Sequence, residues 1–279
     1  MAEGDITRIR SNIQGLNVLN ALRNVQSELT THQLRLATGK RINSAGDDPA
    51  GLLVATRLNG RTKALNQIFE NLGEAKNILS VAEGGLSKIN DILVEMQSKI
   101  EKAASDSIGT VERQAISQQI VSFRAEIDSI AANTKFNGVS LLGSSTTFTF
   151  QTHEAAQTTF STSQYFATGI GLTQISALTS GSIIDSTNYL TYLNEVTNGI
   201  NTIGSGLTTI GSLQNRFTVK EDVIQVETAN SEAAYNRIMN ADIAREQLET
   251  TKFQVLSQTS LAMLSQANQN SSGILSLFR

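Results

Sequence analysis

The stretch "LNQIFENLGEAKNILSVAEGGLSKINDILVEMQSKIEKA", residues 65–103, decides the fold of this chain. From Leu65 to Ile100 an apolar residue recurs at every seventh position, and a companion series follows three residues later. This a/d pattern predicts one long helix packed in a coiled coil or bundle, about 60 Å long at ~1.5 Å per residue. The adjacent Gly84 and Gly85 indicate a bend or local break, because each glycine costs about 1 kcal/mol in helix propensity.

Amphipathic stripes also occupy the two ends of the chain. In the second half, apolar residues at helical spacing run from Leu193 to Phe217. Near the start, a first apolar phase comprises Ile6, Ile9, Ile13 and Leu16, and a shifted phase comprises Val18, Leu22, Val25, Leu29 and Leu36. Such a change of phase is tolerated in long coiled coils. Helices with one apolar side must bury it, so we expect the N-terminal and C-terminal thirds to pack on each other.

The middle of the chain has a different composition. Residues 143–188 are rich in Ser and Thr, and "TTFTFQT" and "TTFSTSQYF" alternate small polar residues with aromatic ones. Alternation of this kind is typical of short strands, which favours a small β-containing or mixed module over a flexible linker. Just before this region, Asn137-Gly138 between apolar residues predicts a hairpin with a type I′ turn.

The composition argues against several classes of protein. A net charge of -3 offers no electrostatic basis for binding nucleic acid, and no apolar run reaches the ~18 residues that membrane insertion needs. The start "MAEGDITRIRSNIQGLNVL" carries charges where a cleavable signal peptide has its apolar core. A single Pro leaves almost nothing to interrupt long helices, and the absence of Cys excludes disulfides and thiolate metal sites.

Three motifs suggest chemistry, and each has a stronger structural explanation. His153 opens "HEAAQ", but Gln157 stands where a helical HExxH zinc site needs its second His. The Asp47-Asp48 pair is explained by Asp48 capping a helix that starts at Pro49. The glycines of "TIGSGLTTIGS" match neither a dinucleotide-binding fingerprint nor a P-loop, and favour close helix packing or interruption. We therefore expect no catalytic residues, no cofactor and no metal site, in a chain that is not an enzyme.

Several longer motifs, spread over both ends, resemble one family. They are "LATGKRINSAGDDPAGLLVATRLN" (36–59), "NLGEAKNILSVAEGGLSKINDIL" (71–93), "EIDSIAANTKFNGVSLL" (126–142), "SLQNRF" (212–217) and "NADIAREQLETTKFQVLSQTSLAMLSQANQNSSGILSLFR" (240–279). In this order they resemble bacterial flagellin. The resemblance implies a structural subunit that polymerises into the extracellular flagellar filament used for motility. The main alternative is the hook-filament junction protein, which shares the "TGKRIN" and "DDP" motifs; an export-system needle or translocator protein is a weaker one.

The resemblance implies a mainly α fold built from both chain ends. Residues 1–42 with 239–279 would form a terminal coiled coil in the filament core. Residues 43–142 with 190–238 would form an α-rich antiparallel rod, and 143–189 a short variable outer insert.

The resemblance also implies partners for the apolar ends. The subunit would form a helical homopolymer, a cytosolic export chaperone would cover the C-terminal helix, and the filament cap and hook-filament junction proteins would contact the assembled subunit. Flagellins pass through the flagellar type III export channel, so the protein would be secreted without a cleaved signal peptide. The predicted polymerisation and chaperone surface comprises Leu256, Leu261, Leu264, Ile274, Leu275, Leu277 and Phe278, with Ile6, Ile9, Ile13 and Leu16 as its partner stripe.

One stretch departs from the family pattern. Many flagellins recognised by Toll-like receptor 5 carry a Gln-Arg and a Glu-Leu pair on the second rod helix. Aligned from "AEGGLSKIN", this chain has Val94 and Glu95 at the first pair, and Lys99 at the Leu. A charge reversal at an interface can cost several kcal/mol, so we expect weak or no activation of this receptor.

Overall fold

The structure is a computed structural model that describes residues 12–161, 165, 168–179, 182–185 and 187–276, without the side chains of 271–276. These residues form six helices and two small antiparallel sheets. The helices are α1 (Ile13–Thr38), α2 (Pro49–Ala103), α3 (Thr110–Asn133), α4 (Thr173–Ala177), α5 (Tyr189–Met239) and α6 (Ile243–Ser276). The strands are β1 (Lys135–Phe136), β2 (Val139–Ser140), β3 (Thr147–His153) and β4 (Ala156–Ser161). The predicted mainly α fold with a small β-containing insert is confirmed.

The chain divides into two compact units. A terminal unit contains the residues up to Arg61 and those from Asn230 onward, and a central unit spans Thr62–Ala229. The boundaries fall inside α2 and α5.

The heptad stretch forms the core of the central unit. All of its a and d residues are buried, and those from Leu72 to Ala103 are almost all fully so. They share one apolar cluster with Ile120 and Ile127 of α3 and with Ile203 and Phe217 of α5. The a/d prediction is confirmed at every position because the seam has helices to pack against.

Of the bend or local break predicted at Gly84 and Gly85, the break does not occur, since α2 continues through both residues. The bend stays a prediction. Gly85 serves close packing: a Cβ placed on it would lie 2.7 Å from Leu142 Cδ1 and 2.7 Å from Thr134 Oγ1. Gly84 would meet nothing within 4 Å. Burial of the seam therefore outweighs the low helix propensity of the glycine pair.

The predicted turn at Asn137-Gly138 is confirmed. Strands β1 and β2 pair antiparallel with Phe136 opposite Val139. Asn137 has φ 48° and Gly138 has φ 81°. Positive φ at both central residues is what a type I′ turn requires, and Asn and Gly tolerate it best.

The insert contains a second hairpin rather than only a linker. Strands β3 and β4 pair with Phe148 opposite Phe160, and the ring of Phe150 meets Phe217 of α5 edge-on at 5.8 Å. Further along the insert, Leu172, Ile175 and Ile184 are fully buried, and these residues and Phe160 belong to the same apolar cluster as the α2 seam. The insert thus packs into the core of the central unit.

Candidate assembly surface of the terminal helices

The terminal unit is built from helices that lie far apart in the sequence. Helix α1 packs along α6, as the amphipathic ends predict. Beyond α1, a short antiparallel bridge joins Lys40 to Asn240. The Arg41 amide donates to the Met239 carbonyl at 2.6 Å, and the Ala241 amide donates to the Gly39 carbonyl at 2.9 Å. This bridge fixes where α6 begins relative to the end of α1.

The side of α6 that is covered within the chain is rich in polar and small residues. Glu246, Thr250 and Ala267 are buried, and Phe253 and Ser257 are half-buried. On α1, the covered side follows the shifted apolar phase, in which Leu29 is buried and the others are half-buried. The contact between α1 and α6 therefore combines polar and apolar residues, and most of the apolar ones belong to α1.

Specific polar contacts hold this seam together. His32 Nδ1 lies 2.5 Å from Glu246 Oε2, and the His32 ring stacks on Phe253 with centroids 5.2 Å apart. Near the start of α1, Asn12 caps the helix through Gly15 N at 2.7 Å and donates to Asn268 Oδ1 at 3.2 Å. Buried polar groups with partners fix the register of two helices better than apolar contacts do.

The large apolar side chains of α6 point mostly away from the chain's own seam. The exposed fractions are 65% for Leu248, 56% for Val255, 39% for Leu256, 61% for Leu261 and 53% for Met263. Spacings of seven and eight residues place Leu248, Val255, Leu256 and Met263 on one side of the helix. Leu261, two residues before Met263, projects from another side. Exposed large apolar side chains that lie together on a helix mark a surface that can bind another apolar surface.

The predicted surface residues are placed as follows. Ile13 and Leu16 lie exposed in the first turns of α1, 41% and 56% accessible. Leu264 is half-buried. Ile274 and Leu275 lie within α6, but their side chains are not described, and Ile6, Ile9, Leu277 and Phe278 lie outside the described residues. The predicted surface left out Leu248, Val255 and Met263, although Leu248 lies seven residues before Val255 and Met263 lies seven residues after Leu256, which is a usable helical signal.

A polar cavity of about 460 Å³ lies beside the His32–Glu246 pair. Arg35, Arg41, Arg245, Asp242 and Glu249 are among its lining residues. The guanidinium group of Arg41 is bound within the chain, since its Nε and Nη2 both donate to the Ile238 carbonyl at 3.2 and 2.9 Å. The ammonium group of Lys252 donates to the Glu249 carboxylate and lowers its pKa. Three arginines and three carboxylates line the cavity, so its formal charges are balanced.

The motifs that suggest chemistry in the sequence have structural roles. His153 ends strand β3 and its Nε2 lies 3.4 Å from Glu227 Oε1, so it does not stand on a helix as HExxH requires. Asp48 Oδ1 accepts the Gly51 amide at 2.8 Å and caps α2, as predicted. The amides of Asn43 and Ser44 donate to the Asp47 carboxylate and hold its pKa below the ordinary value. Among the described residues, no group of three or more His, Cys, Asp or Glu side chains could hold a metal ion.

The residues aligned with the receptor motif, Val94, Glu95 and Lys99, lie on an accessible face of the central unit. Val94 is 51% exposed. Glu95 and Lys99 line an open groove of about 290 Å³ together with Gln118 and Ser122 of α3.

Comparison with known proteins decides the family. The family model described as the bacterial flagellin N-terminal helical region matches residues 9–147, and the one described as the flagellin C-terminal helical region matches residues 193–278. The chain belongs to the bacterial flagellin family. Flagellin of Listeria monocytogenes is 30% identical, with 94% of this chain and 96% of the relative covered. Flagellin of Bacillus subtilis is also 30% identical, with 98% of this chain and 100% of the relative covered.

A solved structure supports the fold. A putative flagellar hook-associated protein from Vibrio parahaemolyticus superposes with a TM-score of 0.62 at 17% identity, covering 70% of this chain and 100% of that one. At this identity the likeness concerns the fold alone. The family matches and the flagellins matched over nearly the whole chain support the filament subunit, and the junction protein is not better supported.

Membership of the family carries the function. Flagellins are structural proteins, not enzymes, and assemble into the extracellular filament of the bacterial flagellum. This chain is a flagellar filament subunit that self-assembles. No helix among the described residues is long and apolar enough to cross a membrane.

Proposed function

We propose that copies of this chain polymerise through the exposed apolar side of α6 together with the first turns of α1. The observation that carries the proposal is the division of α6 into two sides. One side is occupied by α1 through contacts such as His32–Glu246, and the other exposes Leu248, Val255 and Met263.

Burial of the exposed apolar side chains of α6 against neighbouring subunits would be favourable in free energy. Burying one Val, Leu or Met side chain fully is worth about 1.5–3 kcal/mol. A contact that repeats from copy to copy without closing generates an open helical filament. The exposed Ile13 and Leu16 add to the same surface from α1. Ile6, Ile9, Ile274, Leu275, Leu277 and Phe278 are assigned to it from the family resemblance.

The test compares two substitutions that add the same charge to the same helix. Val255→Lys places an ammonium group within the apolar side of α6, whereas Gln258→Lys places it at an exposed polar position. Seeded with filament fragments, the Val255→Lys protein should fail to elongate and the Gln258→Lys protein should elongate normally, as seen by electron microscopy. Equal elongation of both proteins would contradict the proposal.

The same surface is suited to an export chaperone before assembly. An exposed apolar helix side is an aggregation hazard in the cytosol, and a chaperone that covers this side, including Leu256, would remove it. Leu261, on another side of α6, and the half-buried Leu264 are assigned to the chaperone surface from the family resemblance. Export would then use the flagellar type III channel without a cleaved signal peptide. The filament cap and the hook-filament junction proteins would contact the ends of the same assembled surface.

The family resemblance further supports a division into layers within the filament. Residues 1–42 with 239–279 would form the core coiled coil, 43–142 with 190–238 the rod, and 143–189 the outer insert. Limited proteolysis of filaments and of monomers would test this division, since the core layer should be protected only in filaments.

Recognition by Toll-like receptor 5 is proposed to be weak. The supporting observation is the position of Glu95 and Lys99 on an accessible groove of the central unit, where the family pattern has Arg and Leu. A carboxylate at a site built for contact with Arg repels its partner instead of attracting it.

A further inference from the structure

The chain contains three Asn-Gly pairs in different backbone environments. Asn59-Gly60 lies within α2, and Asn198-Gly199 lies within α5. Asn137-Gly138 forms the turn between β1 and β2. The first two pairs are held in helices, where each amide N–H donates to the carbonyl four residues back.

The turn pair has the more open environment. Asn137 and Gly138 are both exposed, and a Cβ placed on Gly138 would meet nothing within 4 Å. Each flanking strand is only two residues long, and a two-stranded hairpin of this size opens easily. The turn must open before the Gly138 amide nitrogen can reach the Asn137 side-chain carbon, and few strand contacts are lost when it does.

We propose that Asn137 is a site of spontaneous deamidation, a modification that needs only water and hydroxide. Hydroxide removes the Gly138 amide proton, and the nitrogen attacks Asn137 Cγ. The new N–Cγ bond forms as the Cγ–Nδ2 bond breaks, and the amide leaves as ammonia after taking a proton from water. Water then opens the succinimide ring. Attack at Cγ gives aspartate, and attack at the backbone carbonyl carbon gives isoaspartate, with the chain running through Cβ.

Either product changes the hairpin at a position that matters for packing. Both add a carboxylate to the turn, and isoaspartate also lengthens the backbone between β1 and β2. The residues flanking the hairpin hold it in place: the Leu141 amide donates to the Thr134 carbonyl at 3.0 Å, and Leu142 and Thr134 both press against Gly85 of α2. Modification of Asn137 therefore alters the backbone next to residues that pack on α2.

The experiment follows all three pairs in one sample. The purified full-length chain is incubated at mildly alkaline pH, and peptides containing Asn59, Asn137 and Asn198 are followed by mass spectrometry. Asn137 should convert at least about tenfold faster than the other two, because the helical pairs must first unfold locally. The same chain in concentrated denaturant should convert all three at similar rates, which shows that every product is detectable.

Two results would overturn the proposal. One is conversion of Asn137 in the native chain that is no faster than that of Asn59 and Asn198. The other is a tenfold preference for Asn137 that persists in denaturant, because the preference would then come from local sequence and not from the turn. The Asn137→Asp variant, which has no side-chain amide to lose, identifies the peptide and should show no gain of mass there.

Discussion

His32 and Glu246 stand 214 positions apart in the chain, yet His32 Nδ1 lies 2.5 Å from Glu246 Oε2 where α1 packs on α6. Their side chains are only 13% and 11% exposed. Nearly buried polar groups need hydrogen-bond partners, and here His32 and Glu246 each supply the partner of the other. The pair therefore ties the two ends of the chain together at a defined register.

Removing the carboxylate of this pair should weaken the terminal unit. Glu246→Ala leaves His32 without its partner in a nearly buried position, which should cost about 1–3 kcal/mol. The loss can be measured as a lower melting temperature of filaments by circular dichroism. Gln247→Ala, at the exposed neighbouring position, is the matched control and should melt like the unmodified chain. An equal shift in both variants would show that the pair itself contributes nothing.

The two adjacent glycines of α2 should respond oppositely to substitution. Gly85→Leu forces Leu142 and Thr134 apart and should destabilise the central unit by about 1–3 kcal/mol or more through overpacking. Gly84→Leu meets open space and should be neutral or stabilising by up to ~1 kcal/mol. Chemical unfolding of purified subunits measures both. Similar losses in the two variants would contradict the close approach at Gly85.

Stability should depend on pH through Asp47. The amides of Asn43 and Ser44 lower the pKa of this carboxyl in the folded chain, so its contribution is present above the ordinary value and is lost as the pH falls through the lower folded value. The difference in melting temperature between the unmodified chain and Asp47→Ala should thus be largest near neutral pH and should shrink as the solution is acidified below about pH 4. A difference that stays constant over this range would rule out the carboxylate as its cause.

The end of the chain should be needed for elongation. A protein that lacks residues from Gly273 to Arg279 should keep a folded central unit, because that unit spans Thr62–Ala229 and the deleted segment belongs to the terminal unit. It should fail to extend filament seeds, because the apolar residues from Ile274 to Phe278 would be missing from the assembly surface. Normal polymerisation of this truncated protein would refute their assignment to that surface.

Restoring the family residues at positions 95 and 99 should increase activation of Toll-like receptor 5. Glu95→Arg combined with Lys99→Leu restores the residues that the family pattern has at these positions. Purified monomer with both changes should activate Toll-like receptor 5 reporter cells at much lower concentrations than the unmodified chain. Gln118→Arg, elsewhere in the same groove, controls for added positive charge. Strong activation by the unmodified monomer would contradict the proposal.

The sequence was most informative where one local rule acted alone. The heptad seam from Leu65 to Ala103 was predictable because each buried position follows from helical spacing. The turn at Asn137-Gly138 was predictable because few residues tolerate positive φ. Of the bend or local break predicted at the Gly84-Gly85 pair, the break does not occur, since helix propensity is weaker than the packing that holds α2 together.

By itself, the sequence determined the long helices, the pairing of the two chain ends and the family, since these depend on spacing and on motifs in order. Only the tertiary structure decided which side of α6 remains exposed. Both sides of that helix carry polar and apolar residues, and the choice between them rests on partners such as His32 that lie on another helix far away in the chain. Leu248, Val255 and Met263 are left outside because α1 occupies the other side, and local spacing does not say which side of α6 the helix α1 will occupy.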